Sequence, residues 1–161
     1  MDKRCKKHHL DIPLIEQQGI TWSNAAGCNA QAVSEYIITA LLKLQPELIH
    51  ANENFTLAII GLGNVGSRLA VMAKLLGWNI IAFDPFEMRE HIHQVDLNTL
   101  LKQADAISIH VPLTKYGEHP TYHLINTQTL AQMKQNTILI NSARGPVVEE
   151  TALIEDIRQT Q

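Results

Sequence analysis

The stretch from Leu57 to Asp84 constrains this chain more than any other. Four apolar residues, Leu57 to Ile60, run into Gly61, Gly63 and Gly66 at G-x-G-x-x-G spacing. Four apolar residues bounded by a glycine fit a buried parallel strand. After the glycines, Val65, Leu69, Met72, Ala73 and Leu76 recur at helical period, and Gly77 stands where the helix should stop. A second apolar run, Ile80 to Phe83, ends in Asp84, 18 residues after Gly66.

Strand, glycine turn, helix, strand and acid form the order a dinucleotide pyrophosphate needs. Gly61 permits a tight turn, Gly63 lets a phosphate approach the backbone, and Gly66 lets the helix pack against its strand. The helix start at Asn64 and Val65 then offers unpaired N–H groups and a positive dipole end. Asp84 is placed to accept hydrogen bonds from ribose hydroxyls, and its charge would repel a 2′-phosphate. The expected cofactor is therefore NAD rather than NADP.

Other segments extend the alternation. Asp11 to Gln18 reads as a short helix ended by Gly19, Ile20 to Ser23 as a strand, and Asn24 to Asn29 as a loop with Gly27 in an unusual conformation. A long helix from Ala30 to Leu48 is signalled by the stripe Val33, Ile37, Ala40, Leu41, Leu44 and Leu48, with Asn29 as cap and Pro46 as a kink or end. His50 to Asn54 is a polar break. Beyond Asp84 lies a patternless connection, then a helix over Leu97 to Gln103, a strand over Ala106 to Val111 and a polar loop over Pro112 to Pro120. A helix over Asn126 to Met133, a strand over Thr137 to Asn141, a turn over Ser142 to Pro146 and a helix from Glu149 to Arg158 complete the chain. This alternation predicts an α/β fold with a parallel sheet covered on both faces.

Composition excludes several functions. A net charge of −3 over 161 residues gives no basic surface for nucleic acid. No apolar run approaches the roughly 18 residues of a membrane span, and the basic opening M-D-K-R-C-K-K-H-H leads into no apolar segment of a secretory signal. Two cysteines, Cys5 and Cys28, fit a reducing cytoplasm rather than a disulfide framework. His8-His9 and His91-x-His93 lack further ligands at metal-binding spacing, so no metal is expected. The first eight or so residues are too charged to bury anything and are expected to be disordered.

Four segments carry a resemblance: A-A-G-C-N-A-Q-A-V-S-E-Y (Ala25 to Tyr36), G-L-G-N-V-G-S-R-L (Gly61 to Leu69), H-V-P-L-T-K-Y-G-E-H-P-T-Y-H-L (His110 to Leu124) and I-N-S-A-R-G-P-V-V-E-E-T-A-L (Ile140 to Leu153). With them the chain resembles the NAD-dependent D-2-hydroxyacid dehydrogenases, and within that family the 4-phosphoerythronate branch of pyridoxine (vitamin B6) synthesis. The extended loop Tyr116 to Thr121 and the G-C-N-A-x-A-V-x-E-Y run point to that branch. The resemblance implies a Rossmann-type doubly wound parallel sheet, truncated, preceded by a remnant of a substrate domain. Residues 1–28 would be that remnant, and 29–161 an NAD-binding domain including an interdomain helix at 30–48 and cut short at its C-terminus.

The family oxidises a 2-hydroxy acid at C2, here 4-phospho-D-erythronate to 2-oxo-3-hydroxy-4-phosphobutanoate, with hydride transfer to NAD. Arg144 matches the arginine that holds the substrate carboxylate, a task suited to a guanidinium's paired donors. Gly61, Gly63, Asn64, Val65, Gly66, Asp84, Val111, Ser142, Ala143 and Arg144 match cofactor-lining positions. His110 and His123 match non-catalytic positions, and Glu149 and Glu150 match an acidic helix start. No residue matches the family's acid/base histidine or its orienting glutamate, which follow the arginine at greater distances than the 17 residues that remain after Arg144.

The resemblance thus implies a central fragment, inactive when isolated, of an enzyme that is a homodimer at full length. A non-catalytic NAD-binding remnant or interaction module is the alternative, and another 2-hydroxyacid dehydrogenase, such as one acting on 3-phosphoglycerate, a further one. No membrane or nucleic-acid partner is expected. The strand at Thr137 to Asn141 is expected to present an unpaired edge or a poorly covered face, and the apolar stripe of the helix from Ala30 to be exposed or to drive association.

Overall fold

The computed structural model describes residues 11–44, 49 and 54–160. The expected disordered start, the polar break through residue 53, and the end of the expected long helix with Pro46 and Leu48 lie outside the described residues, as do Cys5 and His8-His9.

Among the described residues five strands form one parallel sheet: β1 (Thr56–Ile60), β2 (Asn79–Phe83), β3 (His93–Gln94), β4 (Ala106–Ile109) and β5 (Ile138–Asn141). Their spatial order is β3-β2-β1-β4-β5, with every pairing parallel. The chain winds outward from β1 through β2 to β3, then crosses back to β4 on the other side of β1. The order reverses between β1 and β4, which opens a crevice at the carboxyl ends of those strands.

Among the described residues six α-helices accompany the sheet: α1 (Ile12–Gln17), α2 (Ala30–Leu44), α3 (Asn64–Leu75), α4 (Leu97–Gln103), α5 (Thr127–Leu130) and α6 (Glu150–Thr160), with a 3₁₀ turn at Gly145–Val147. Side chains alternate across the strands, so each strand feeds two cores. Leu57 and Ile59 of β1 pack with Ile37 and Leu41 of α2 and Leu69 and Ala73 of α3. Ala58 and Ile60 face the other way, toward Leu100 and Leu101 of α4, Ile107, Ile125 and Val147. β1 is buried at every position, as a strand covered on both faces must be. β5 closes one side of the sheet and is only half-covered.

Several boundaries follow local chemistry. α1 starts at Asp11, whose carboxylate accepts from the Leu14 N–H, and ends before Gly19 at φ +65°. Asp96 caps α4 through the Thr99 N–H. Asn126 and Thr129 form a reciprocal capping box on α5. Gly77, at φ +81°, follows the end of α3.

Four sequence expectations are corrected. Ile20 to Ser23 is not a strand; no described strand pairs with it, and Ile20 is 57% exposed. The apolar stripe of α2, expected to be exposed, is buried at Ile37 and Leu41 against β1, with Ala30, Ser34 and Ile38 buried beside it, while Leu44 at its end is 70% exposed. The connection after Asp84 contains β3, whose His93 and Gln94 pair with Ile81 and Ala82. The helix expected over Asn126 to Met133 is a single turn, because Asn126 lies outside it as the cap and the chain turns after Leu130.

Candidate functional site

The residues singled out in the sequence come together at the carboxyl edge of the sheet. Gly61 leaves β1 with φ +98°, a conformation that disfavours any side chain, and its N–H donates to Phe83 O of β2 (2.9 Å). A Cβ on Gly61 would stand 2.9 Å from His110 O and 3.0 Å from Val111 Cγ1, so the turn runs hard against the exit of β4. Gly66 is tighter still: a Cβ there would lie 1.9 Å from Gly61 O. Gly63 differs from both, since nothing lies within 4 Å of the position its Cβ would take. α3 then begins at Asn64 with no side chain capping it. Glycine backbone, open space and an uncapped helix start together make a cradle for an anion.

Asp84 follows β2 and turns back toward this cradle. Its Oδ2 accepts from the Leu62 N–H at 2.7 Å, while Oδ1 accepts from the N–H groups of Phe86 (2.9 Å) and Glu87 (3.1 Å). The carboxylate is thus held beside the glycine turn by three backbone donors. An ionised carboxylate offers about four lone-pair sites; both on Oδ1 are engaged, and Oδ2 keeps one for a hydroxyl. These residues fit the adenosine ribose and pyrophosphate of NAD.

α2 supports the cradle from behind. Ser34 Oγ donates to Ala30 O (2.8 Å) within α2 and lies 3.3 Å from Val65 O of α3, and Arg68 Nη1 donates to Gln31 Oε1 (2.7 Å). Gly27, at φ +80°, sits so close to Asn64 that a Cβ would stand 2.8 Å from its Nδ2. The loop before α2 therefore abuts the start of α3.

Across the crevice, β5 delivers Ser142, Ala143 and Arg144. Asn141 folds this turn: its Oδ1 accepts from the Ala143 N–H (3.1 Å) and its Nδ2 donates to Arg144 O (2.9 Å). The Arg144 guanidinium is exposed and donates to Ala143 O (3.0 Å). Val111 lies half-buried beside Gly61.

Sequence reasoning missed a polar cluster here. His110 lies between two serines, with Nε2 2.9 Å from Ser108 Oγ and Nδ1 2.8 Å from Ser142 Oγ. Burial pushes its pKa down from 6.5 to about 4, so the ring is neutral near pH 7. The signal was present: Ser108 and His110 are two apart on a strand and share a face. The expectation that His110 is a strand-end residue agrees with its place directly after β4.

A second unanticipated contact joins the two outer loops. His119, in the Pro112 to Pro120 loop, meets Phe86 edge-on at 5.5 Å between ring centroids. Thr114 and Thr121 clasp the base of that loop through paired backbone and hydroxyl hydrogen bonds. His123 takes part elsewhere, stacking on Tyr122 at 3.9 Å and donating its N–H to Pro146 O. A hollow of about 1280 Å³ beside β5, lined by Leu130, Met133, Leu139 and Ile157, contains neither the glycine turn nor Asp84. Among the described residues no group of three His, Cys, Asp or Glu is placed to hold a metal ion. No described helix is long and apolar enough to cross a membrane.

Comparison with known proteins is consistent with this geometry. Residues 31–161 match the family described as D-isomer specific 2-hydroxyacid dehydrogenase, NAD binding domain. An erythronate-4-phosphate dehydrogenase of Acinetobacter baumannii is 65% identical over 95% of this chain, and the match spans 43% of that relative. One from Psychrobacter arcticus is 40% identical, covering 95% of this chain and 45% of its own length. The chain thus spans less than half the length of these relatives. Among solved structures, apo D-lactate dehydrogenase from Escherichia coli superposes with a TM-score of 0.81 at 25% identity, covering 96% of this chain and 55% of that one. D-lactate dehydrogenase with NAD+ from Lactobacillus jensenii gives 0.80 at 27% identity, covering 98% and 53%.

Proposed function

The chain belongs to the D-isomer-specific 2-hydroxyacid dehydrogenase family through its NAD-binding domain, and on that premise we propose that it provides the coenzyme-binding part of a 4-phosphoerythronate dehydrogenase. The reaction is oxidation of 4-phospho-D-erythronate to 2-oxo-3-hydroxy-4-phosphobutanoate, a step of pyridoxine synthesis carried out in the cytoplasm. The single observation that carries this reading is the convergence of the Gly61–Gly66 turn and Asp84, joined by the 2.7 Å bond from the Leu62 N–H. The relatives' names favour the phosphoerythronate substrate over 3-phosphoglycerate or lactate, and over a module that only binds NAD.

The geometry supports the following division of labour. In this reading residues 29–161 are the NAD-binding domain, the helix that begins at Ala30 lies between the domains, and residues 1–28 belong to the substrate domain. When bound, NAD accepts the hydride that leaves C2 of the substrate. Gly61, Gly63 and Gly66 let backbone approach the pyrophosphate, and the amides of Asn64 and Val65 face its charge. Asp84 receives the ribose hydroxyls. Val111, Ser142 and Ala143 line the nicotinamide end of the crevice.

Arg144, exposed at the crevice rim, grips the substrate carboxylate with two parallel donors once it swings from Ala143 O. The hydroxyl proton requires a base, and in this family a histidine oriented by a glutamate serves. Among the described residues none matches that pair by family position, so these residues assayed by themselves are expected to bind NAD and turn over slowly if at all. Loss of a general base costs about 10²–10⁴ in rate. A homodimer is the assembly of the full-length enzyme; Tyr36 and Leu44, each 70% exposed on α2, suit such an interface.

The test is NADH fluorescence titration of the chain, together with turnover of 4-phosphoerythronate with and without the complementary segments of a full-length relative. Binding with turnover restored by those segments is expected. Binding with no restoration would favour the module, and restoration with D-lactate or 3-phosphoglycerate instead would reassign the substrate.

A further inference from the structure

The cluster around His110 reaches further than any residue singled out in the sequence. β4 and β5 run parallel with Ile109 opposite Asn141, so the next pair in the same register is His110 opposite Ser142. Side chains at these positions share the face that carries Ser108. This register brings the imidazole between the two hydroxyls, at 2.9 Å and 2.8 Å.

Hydrogen-bond accounting fixes the tautomer. Ser142 Oγ also lies 3.1 Å from Ile109 O, which can only accept. The single hydroxyl proton of Ser142 therefore goes to Ile109 O, and Nδ1 must carry a proton to donate to Ser142 Oγ. Nε2 is left as acceptor for the hydroxyl of Ser108, a residue fully shut from solvent. The backbone of His110 is committed as well: its N–H donates to Ile60 O at 2.8 Å, and its carbonyl presses on Gly61. One residue touches the ends of β1, β4 and β5 together.

We infer that His110 is a positioning residue: its neutral, Nδ1-protonated ring clasps Ser142 and thereby fixes the Ser142–Arg144 turn relative to the glycine turn. Asn141 passes the constraint on, since it bonds both Ala143 N–H and Arg144 O. The consequence for the cofactor rests on the proposed function. If Ser142 and Ala143 line the nicotinamide end, losing the clasp widens the crevice without removing any cofactor contact.

Nitrogen-15 spectra of the chain labelled at histidine, at pH 7, read the ring directly. A single Nδ1–H tautomer is expected, and averaging between tautomers would overturn the clasp. His110→Phe keeps a ring but loses both bonds; it should shift the Ala143 and Arg144 amide resonances and speed their hydrogen exchange. His110→Asn retains a donor near the Nδ1 position and should restore both. Ser142→Ala removes the bond from the other side and should reproduce the His110→Phe pattern, which guards against simple misfolding. Unchanged Arg144 resonances in folded His110→Phe and Ser142→Ala would overturn the inference. In NADH titrations His110→Phe should weaken binding about tenfold and His110→Asn by less than about threefold, as expected for losing or keeping one or two hydrogen bonds. Should the unaltered chain fail to bind NADH, the proposed function falls, and the amide spectra alone decide the clasp.

Discussion

Replacing Gly66 by alanine should separate the packing role of the glycine turn from its binding role. The added Cβ would stand 1.9 Å from Gly61 O, 3.0 Å from Gly61 C and 3.1 Å from Ile59 Cγ2. Ordinary contact begins at 3.4 Å, so α3 must retreat from the turn by more than an ångström. The obstructing atom is a carbonyl whose residue is pinned on both sides, by Phe83 O and by the exit of β4. It has no rotamer to escape into. Overpacking of a well-filled interior costs about 1–3 kcal/mol, and the backbone partner here argues for the upper end or beyond. Urea unfolding followed by circular dichroism measures that loss. Gly63→Ala is the matched control. Its Cβ meets nothing within 4 Å and its φ of −67° suits alanine, so stability should change by less than about 0.5 kcal/mol. Its methyl would nevertheless occupy the space a diphosphate needs, and NADH affinity should fall about tenfold or more. The reasoning is refuted if Gly66→Ala unfolds like the unaltered chain, or if Gly63→Ala binds NADH equally well.

Further expectations concern the rest of the sheet. His110 titrates near 4 when folded and at its ordinary 6.5 when unfolded, so the unfolded chain binds more protons between those values. Its contribution is complete above pH 6.5 and is lost as pH falls to about 4; at about 1.4 kcal/mol per unit it is on the order of 3 kcal/mol. Stability curves at pH 7 and pH 4.5 should therefore differ less in His110→Asn than in the unaltered chain; an equal difference would contradict the assignment. Asp105 accepts from the Thr56 N–H (2.8 Å) and from Lys134 Nζ (2.8 Å), tying the starts of β1 and β5. Asp105→Ala should cost about 1.5–3 kcal/mol, mostly through the stranded backbone donor. Lys134→Ala, which removes only an exposed partner, should cost less than about 1 kcal/mol. Chemical denaturation of both variants checks the ordering.

The elements legible in the sequence were those whose signal is local. β1, α3 and β2 announce themselves because apolar runs change period at glycines, and α4 falls where Asp96 and its apolar residues put it. Ile20 to Ser23 read as a strand by composition, yet strand formation needs a neighbouring strand, and no described strand pairs with it. β3 has only two residues and exists through its pairing with β2, so no periodicity could reveal it. Leu44 shows the same limit in a helix, since helical spacing places residues on a stripe without saying which part of the stripe meets a partner. At the site, the glycines and Asp84 were readable because the order of elements carries their meaning. The Ser108–His110–Ser142 cluster was half-readable: alternation along β4 was visible, but the partner 32 residues on depended on the β4–β5 register.

The most direct test of the account is the ratio of NADH to NADPH affinity for the chain and for Asp84→Asn. Asp84, held against the glycine turn by the Leu62 amide, should give NADH an advantage of about tenfold or more, and neutralising it should erase most of that advantage. Equal binding of the two nucleotides by the unaltered chain, or a preference that survives Asp84→Asn, would contradict the central claim.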